Sequence, residues 1–251
     1  MEAYLDNSAT TRVDAQVQEL MKKLMDVDFG NPSSRHQKGV VAEGYIKEAR
    51  QKIAATLKVD PKELIITSGG TESNNMALIG TALAAKRKGN HIITTAVEHP
   101  SVKATASFLE EQGFRITFLS VDSRGQISLE DLKEALTPDT ILVSIMYVNN
   151  EIGTIQPVEE AAKLVHATVP GAVFHVDAIQ AYGKVMIRPK QQGIDLLSVS
   201  SHKFHGPKGA GFLYCSSKVN LHPIIFGGGQ QSGMRSGTEN VPAIAGLATA
   251  V

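Results

Sequence analysis

Apolar residues at Val13, Val17, Leu20, Met21 and Leu24 recur at helical spacing, and Thr10 or Thr11 can cap the first turn. A longer helix is predicted over Gln37–Leu57, with Val40, Val41, Tyr45, Ala49, Ile53 and Leu57 on one side. Asp60-Pro61 closes it, because proline cannot continue a helix. Beyond it, short apolar runs at residues 64–67, 91–95, 115–119, 141–148, 173–176, 196–200 and 211–215 read as strands. Residues 72–88, 102–112, 129–136 and 158–167 read as the helices between them. The middle strands are apolar throughout rather than alternating, which predicts a sheet covered on both faces. The expected fold is α/β, a three-layer α/β/α arrangement around a mostly parallel seven-stranded sheet. After Asn240 a last apolar helix is predicted over residues 241–251. It lacks the polar turn or glycine that normally ends one, so the sequence is expected to be cut inside an element, a frayed natural terminus being the alternative.

Composition narrows the function classes. The chain has 251 residues, of which 42% are hydrophobic and 20% charged, enough for a sizeable core and unlike a disordered or disulfide-stapled chain. Its 25 Lys and Arg balance 25 Asp and Glu, so no global field draws nucleic acid or an anionic membrane. One Cys forms no intrachain disulfide, and Met1-Glu2-Ala3-Tyr4-Leu5-Asp6 has neither the basic start nor the apolar core of a signal peptide. A cytoplasmic location follows as the expectation. No apolar run approaches the roughly 20 residues that span a bilayer.

In open α/β sheets, ligands sit outside the carboxyl ends of the strands, so the residues directly after each strand carry the first candidates. Ser68-Gly69-Gly70-Thr71-Glu72-Ser73-Asn74-Asn75 combines two glycines with the start of a helix, an anion-binding arrangement. It has neither the Walker ending nor the Gly-x-Gly-x-x-Gly spacing, and taken alone it also fits an ordinary turn. Glu98-His99-Pro100-Ser101 places an imidazole at the same edge. Asp177 ends an apolar strand, with Gln180 three residues on, and a buried acid is costly without a partner. Ser200-Ser201-His202-Lys203 then brings a lysine to a strand end, ahead of a Gly/Pro-rich turn.

Pyridoxal phosphate needs this whole set: a lysine for a Schiff base, a carboxylate on the pyridine nitrogen, a helix N-terminus for the phosphate and a flat group over the ring. Lys203 and Asp177 suit the first two roles, and Gln180 can bond the ring hydroxyl. His99 can stack on the ring and move a proton. Thr71, Ser200 and His202 offer phosphate donors, with Gly70 and Ser201 beside them. No metal site is expected.

The chain resembles the cysteine desulfurases of the NifS/IscS type, class V relatives among fold-type-I pyridoxal phosphate enzymes. The resemblance runs through Tyr4-Leu5-Asp6-Asn7-Ser8-Ala9-Thr10-Thr11, Asn31-Pro32-Ser33-Ser34, the Ser68 to Asn75 segment, Glu98-His99-Pro100-Ser101-Val102 and Val148-Asn149-Asn150-Glu151-Ile152-Gly153. It continues through His175-Val176-Asp177-Ala178, Ser201-His202-Lys203, Gly227-Gly228-Gly229-Gln230-Gln231 and Gly233-Met234-Arg235-Ser236-Gly237-Thr238. It implies the fold-type-I large domain, with Lys203 as the Schiff-base lysine, Asp177 on the pyridine nitrogen, Gln180 on the ring hydroxyl and His99 as the stacking residue. Asn150 would face both the ring and the substrate carboxylate. Thr238 would reach the phosphate of a neighbouring protomer, which implies a homodimer with shared sites. The implied activity is removal of sulfur from L-cysteine, leaving L-alanine and an enzyme persulfide for iron-sulfur scaffold proteins or transfer-RNA thiolation.

One departure stands out. The family's nucleophilic Cys lies on a loop of a C-terminal small domain that is expected after residue 251, together with an arginine for the substrate carboxylate. The whole of residues 1–251 then reads as the large domain. Cys215 ends an apolar strand and is expected to be a buried structural thiol rather than a substitute. His36 and His166 are expected to be solvated on helices, His91 to start a strand, and Met21 and Met25 to fill the core. The Gly227 to Gly229 run reads either as a flexible connection or as backbone approaching an anion at a subunit boundary. Competing readings are a selenocysteine lyase or another class V enzyme, and a non-catalytic cofactor-binding or scaffold-interacting remnant.

Overall fold

The computed structural model describes residues 3–251, so Met1 and Glu2 of the segment weighed as a leader lie outside the described residues. Seven strands form one sheet: β1 (Leu64–Thr67), β2 (His91–Thr95), β3 (Arg115–Leu119), β4 (Thr140–Met146), β5 (Val173–Asp177), β6 (Leu196–Ser200) and β7 (Gly211–Cys215). Their order is β1-β7-β6-β5-β4-β2-β3. Only β7 runs antiparallel to its neighbours, which gives the mostly parallel α/β sheet that the sequence predicts. The helices are α1 (Ala15–Asp26), α2 (Gln37–Leu57), α3 (Gly70–Ala85), α4 (Pro100–Glu111), α5 (Leu129–Ala135), α6 (Val158–Thr168), α7 (Pro189–Gln192) and α8 (Val241–Thr249).

The two faces of the sheet differ in chemistry. Val143, Ile145, Phe174, Val176, Leu197 and Val199 belong to an apolar core with α2, α6 and α8. The residues between them in β4, β5 and β6 face α3, and many are polar: Ser144, His175, Asp177, Ser198 and Ser200, all at most 4% exposed. His175 bridges three strands, its Nδ1 at 2.8 Å from Ser144 Oγ and its Nε2 at 2.9 Å from Ser198 Oγ. Burial pushes His175 down to about 3, so the ring is a neutral cross-strand link. The α3 face toward the sheet matches this seam with Ser73, Asn74 and Thr81, all buried. Continuous burial of the strands therefore does not mean continuous apolarity.

Several boundaries move for identifiable reasons. Asp14, not Thr10 or Thr11, caps α1, accepting from Gln16 N at 2.8 Å, while Thr11 is spent on the turn after β6. Met21 is half-buried, but Met25 points out of the core at 62% exposure. His36 is an exposed residue ahead of α2 rather than on it. His166 is half-buried against Gly193 O at 2.9 Å and Asp195 at 3.5 Å instead of solvated. His91 does start β2, fully buried between Thr140 and Thr117. β4 ends at Met146 and α8 at Thr249. Among the described residues, no helix is long and apolar enough to cross a membrane.

The strand order opens a gap where the site sits. The β2–β4 ladder pairs only as far as Ile93 with Val143. Past it, the Glu98 carboxyl replaces the missing rung: its Oε1 accepts from Met146 N and from Thr95 Oγ1, both at 2.8 Å. The other oxygen is buried without a hydrogen-bond partner. Burial, with some contribution from nearby Asp177, pushes Glu98 up to about 8 against the opposing effect of the Met146 amide. A carboxyl raised in the folded state binds more protons than the unfolded chain, so its stabilising neutral form is lost as pH rises through about 8. The expected outcome is that Glu98→Gln melts increasingly above the wild type from pH 5 to pH 9. The gap should widen by about 4 °C or more, on the order of 1–2 kcal/mol. A difference independent of pH in thermal melts would contradict the neutral carboxyl.

Candidate active site

At the carboxyl edge of β4, β5 and β6, a cavity of about 530 Å³ opens, within the range of small-ligand sites. Its walls include Gly70, Thr71, His99, Asn150, Asp177, Gln180, Ser200, His202 and Lys203, nine of the eleven residues the sequence singles out. Ser201 is a correction. Its hydroxyl donates to the carbonyls of Pro207 and, at 3.0 Å, Ala210, so it is fully buried and holds the turn rather than a ligand. Thr238 lies in a separate hollow of about 160 Å³ with Ser68 and Arg235, outside this cavity.

Lys203 stands on a one-turn 3₁₀ segment (Ser201–Lys203) directly after β6. Phe204 anchors that turn, packing edge-on against Tyr182 at 5.1 Å, and Tyr182 in turn meets Phe212 at 5.4 Å. The lysine Nζ donates to the carbonyls of Ser8 at 2.6 Å and Ala9 at 2.8 Å and pairs with no carboxylate among the described residues. Partial burial, reinforced by nearby Lys184, lowers its basicity, while Asp177 and Asp6 oppose the shift. A less basic amine is a better nucleophile at neutral pH. The N-terminal segment is thus a wall of the site. Thr11 N donates to His202 O at 2.9 Å, His205 N to Thr11 Oγ1 at 2.7 Å, and Asp14 N to His205 O at 3.0 Å. His205 itself sits at φ +66°, a strained conformation held in place by these bonds.

Asp177 is 4% exposed and receives Asn74 Nδ2 at 2.8 Å and Ile179 N at 3.0 Å. Burial nevertheless keeps its carboxyl above the usual range, because neither partner is a cation. Gln180 donates to Ser8 O at 2.8 Å and accepts from Lys184 at 3.2 Å, so its amide already braces the N-terminal wall. His99 caps α4 with Nδ1 accepting from Ser101 N at 3.1 Å.

The α3 N-terminus forms the anion end. Gly69, at φ +148°, has no side-chain cap and leaves the first amides of the helix unsatisfied by side chains. Close packing demands glycine opposite it too: a Cβ on Gly211 would lie 2.7 Å from Gly69 Cα and 2.4 Å from Val199 O. Thr71, Ser200 and His202 surround this end. Burial, with Lys203 and Lys208 adding to it, lowers the basicity of His202. Glu72, also in the first turn, faces an ion pair with Arg235 at 2.7 Å. Burial works against its charge, but the hydrogen bonds from Arg235 and Ser68 hold its carboxyl below the usual range. That pair ties down the glycine loop of residues 227–237, with Ile225 bridged to Arg235, so the loop is not a free linker.

This donor set fits pyridoxal phosphate: a buried carboxylate with no cation hydrogen-bonded to it, a lysine of lowered basicity and an open helix N-terminus share one cavity. Cys215 does not belong to it. It pairs with Leu196 at the amino edge of β6, roughly 13 Å along the strand from the Ser200 end. It is half-buried rather than fully buried, and burial pushes its thiol up to about 12. Three contributors escape sequence reasoning: the main-chain carbonyls of Ser8 and Ala9, Asn74, and Glu98. Carbonyl acceptors leave no mark in residue type. Asn74 does lie in the glycine motif, one turn along α3.

Residues 3–251 match the family of class-V aminotransferases. A putative cysteine desulfurase IscS 1 of Bacillus subtilis is 51% identical over 248 residues, which cover 99% of this chain and 65% of that protein. The cysteine desulfurase IscS of Dictyoglomus turgidum is 49% identical over 250 residues, covering 100% of this chain and 63% of that one. Among solved structures, a NifS-like protein superposes with a TM-score of 0.98 at 45% identity, over 100% of this chain and 68% of its own. A structure described as SspA in complex with cysteine gives 0.95 at 41% identity, over 99% of this chain and 72% of its own. The chain therefore spans a little under two thirds of the curated relatives it matches. With a matching family profile over nearly its whole length, the chain belongs to the class-V aminotransferase family.

Proposed function

We propose that this chain is the cofactor-binding large domain of a pyridoxal phosphate-dependent cysteine desulfurase that takes sulfur from L-cysteine and releases L-alanine. The observation that carries the reading is Lys203, a carboxylate-free amine of lowered basicity in one cavity with Asp177, His99 and the α3 N-terminus. Relatives named as cysteine desulfurases at about half identity support the substrate. When bound, the cofactor supplies an aldehyde for the lysine amine and an electron sink for the substrate carbon. Lys203 anchors it and exchanges protons at Nζ. Asp177 holds a pyridine nitrogen protonated, and the gain of that cation offsets the cost of the buried carboxylate. His99 presents its ring at the cavity wall and can carry a proton at Nε2. Gly70, Thr71, Ser200 and His202 grip the phosphate, Gln180 meets the ring hydroxyl, and Asn150 faces the substrate carboxylate.

The sulfur-accepting thiolate is not Cys215, which lies at the far edge of the sheet with a poorly ionised thiol. Thr238, exposed in a hollow with Ser68 and Arg235 outside the cavity, serves the phosphate of a neighbouring protomer in this reading, and the working unit is a homodimer with shared sites. The persulfide passes to an iron-sulfur scaffold or transfer-RNA thiolation protein, and the location is cytoplasmic.

Incubation with pyridoxal phosphate should give a visible absorbance band and, after borohydride reduction, a covalent adduct that peptide mass spectrometry places on Lys203. Lys203→Ala should show neither, whereas Cys215→Ser should match the wild type. An adduct elsewhere would sink the assignment. Asp177→Asn replaces a charged hydrogen-bond acceptor by a neutral one, and titration of the band should show uptake about 10- to 100-fold weaker. Unchanged affinity would remove Asp177 from the cofactor's nitrogen.

A further inference from the structure

Beneath the cavity, four side chains form one continuous hydrogen-bonded line. Asn74 Nδ2 donates both to Asp177 Oδ2 at 2.8 Å and to Ser101 Oγ at 2.9 Å. Ser101 Oγ lies 2.8 Å from His99 Nδ1, which also accepts the Ser101 backbone amide at 3.1 Å. The directions are settled by the donor inventory. A carboxylate only accepts, so the amide group facing Asp177 is the donating end of Asn74. The same group donates to Ser101 Oγ, which leaves the hydroxyl hydrogen to point onward to His99. His99 Nδ1 is then an acceptor from two groups, and the ring proton resides on Nε2.

Asn74 carries a cost that packing does not explain. It is fully buried, and its Oδ1 has no hydrogen-bond partner. Rotating the amide to satisfy that oxygen would turn it toward the Asp177 carboxylate, oxygen against oxygen. A buried amide with half its capacity unused persists where its donating half is required. Ser101 is buried as well, so solvent does not compete for either link.

We propose that Asn74 and Ser101 are positioning residues that join Asp177 to His99 and fix the His99 ring as its Nε2–H tautomer, with Nε2 presented to the cavity. Asn74 links the pocket's carboxylate to its imidazole with one amide group. The ring cannot flip or take a proton at Nδ1 without breaking two donor contacts, so any proton exchanged with a bound ligand passes through Nε2. The catalytic value of this arrangement rests on the cofactor reading above; the tautomer does not.

Long-range ¹⁵N NMR of histidine-labelled, cofactor-free protein reads the tautomer directly. In the wild type the His99 signals should show an unprotonated Nδ1 and a protonated Nε2. In Asn74→Ala the Ser101 hydroxyl is free to turn, and in Ser101→Ala it is gone. Each should lower the Nε2–H to Nδ1–H ratio about fivefold, the effect of one net hydrogen bond. Two separate truncations guard against one failing to fold, and melting curves establish which are native. Wild-type signals in both folded variants, or Nδ1–H in the wild type, would overturn the proposal. Failure of the wild type to take up pyridoxal phosphate would sink the cofactor reading alone and leave this measurement standing.

Discussion

A carboxylate buried at the end of a central parallel strand is the constraint on which the rest of the site depends. Asp177 costs free energy where it stands, and its raised affinity for a proton records that cost. The fold tolerates it by giving the α3 side of the sheet a polar lining. Ser144, His175 and Ser198 cross-link the strands below it, and Asn74 meets it from the helix above. The opposite face of the same strands is wholly apolar and joins the larger hydrophobic core with α2, α6 and α8, while a second core, with Met76 and Leu78 of α3 and Val102 and Leu109 of α4, packs on the α3 side. One face of these strands is core alone, and the other combines core packing with the polar lining of the cavity.

The same division governs the loops. Where β2 and β4 part, the crevice is kept open by a neutral Glu98 in place of a ladder rung, and the segment carrying His99 is fixed one residue away. Asn149 adds a second tie, donating to Val97 O at 3.0 Å while its Oδ1 accepts the amides of Glu151 and Ile152. Asn150 is therefore held between two braced residues. The lysine turn is set from the other side by the Tyr182, Phe204 and Phe212 rings, an aromatic wedge that reaches from the core to the site.

The order of strands and helices was legible because each strand is a short apolar run with a clear breaker after it. The candidate site was legible for the matching reason that its key residues lie at or shortly beyond strand ends, Asp177 closing β5 while Lys203 and His99 stand within one short turn of β6 and β2. What sequence could not show were contacts between side chain and main chain across long separations. Thr11 looked like a helix cap because threonine favours that position, yet its hydroxyl serves the turn at His202 and His205. Ser201 looked like a ligand because it lies between Ser200 and His202, but the 3₁₀ turn directs it inward. Asn74 was one polar residue among several in its motif. Its role appears only when α3 is laid over β5 and α4.

The wall formed by residues 8–14 also imposes an order on folding. Its bonds join residues separated by about 190 positions in sequence, as Thr11 and His205 are by 194. At ordinary translation speeds of about 5–20 residues per second, Thr11 leaves the ribosome roughly 10–40 seconds before its partner. Throughout that interval the segment has no surface to dock on. The sheet's parallel strands can begin to pair in the meantime, but β6 and the lysine turn must emerge before the crevice has its N-terminal side. The candidate site is thus among the last parts of the chain to form, and it closes only when the N-terminal wall meets the lysine turn.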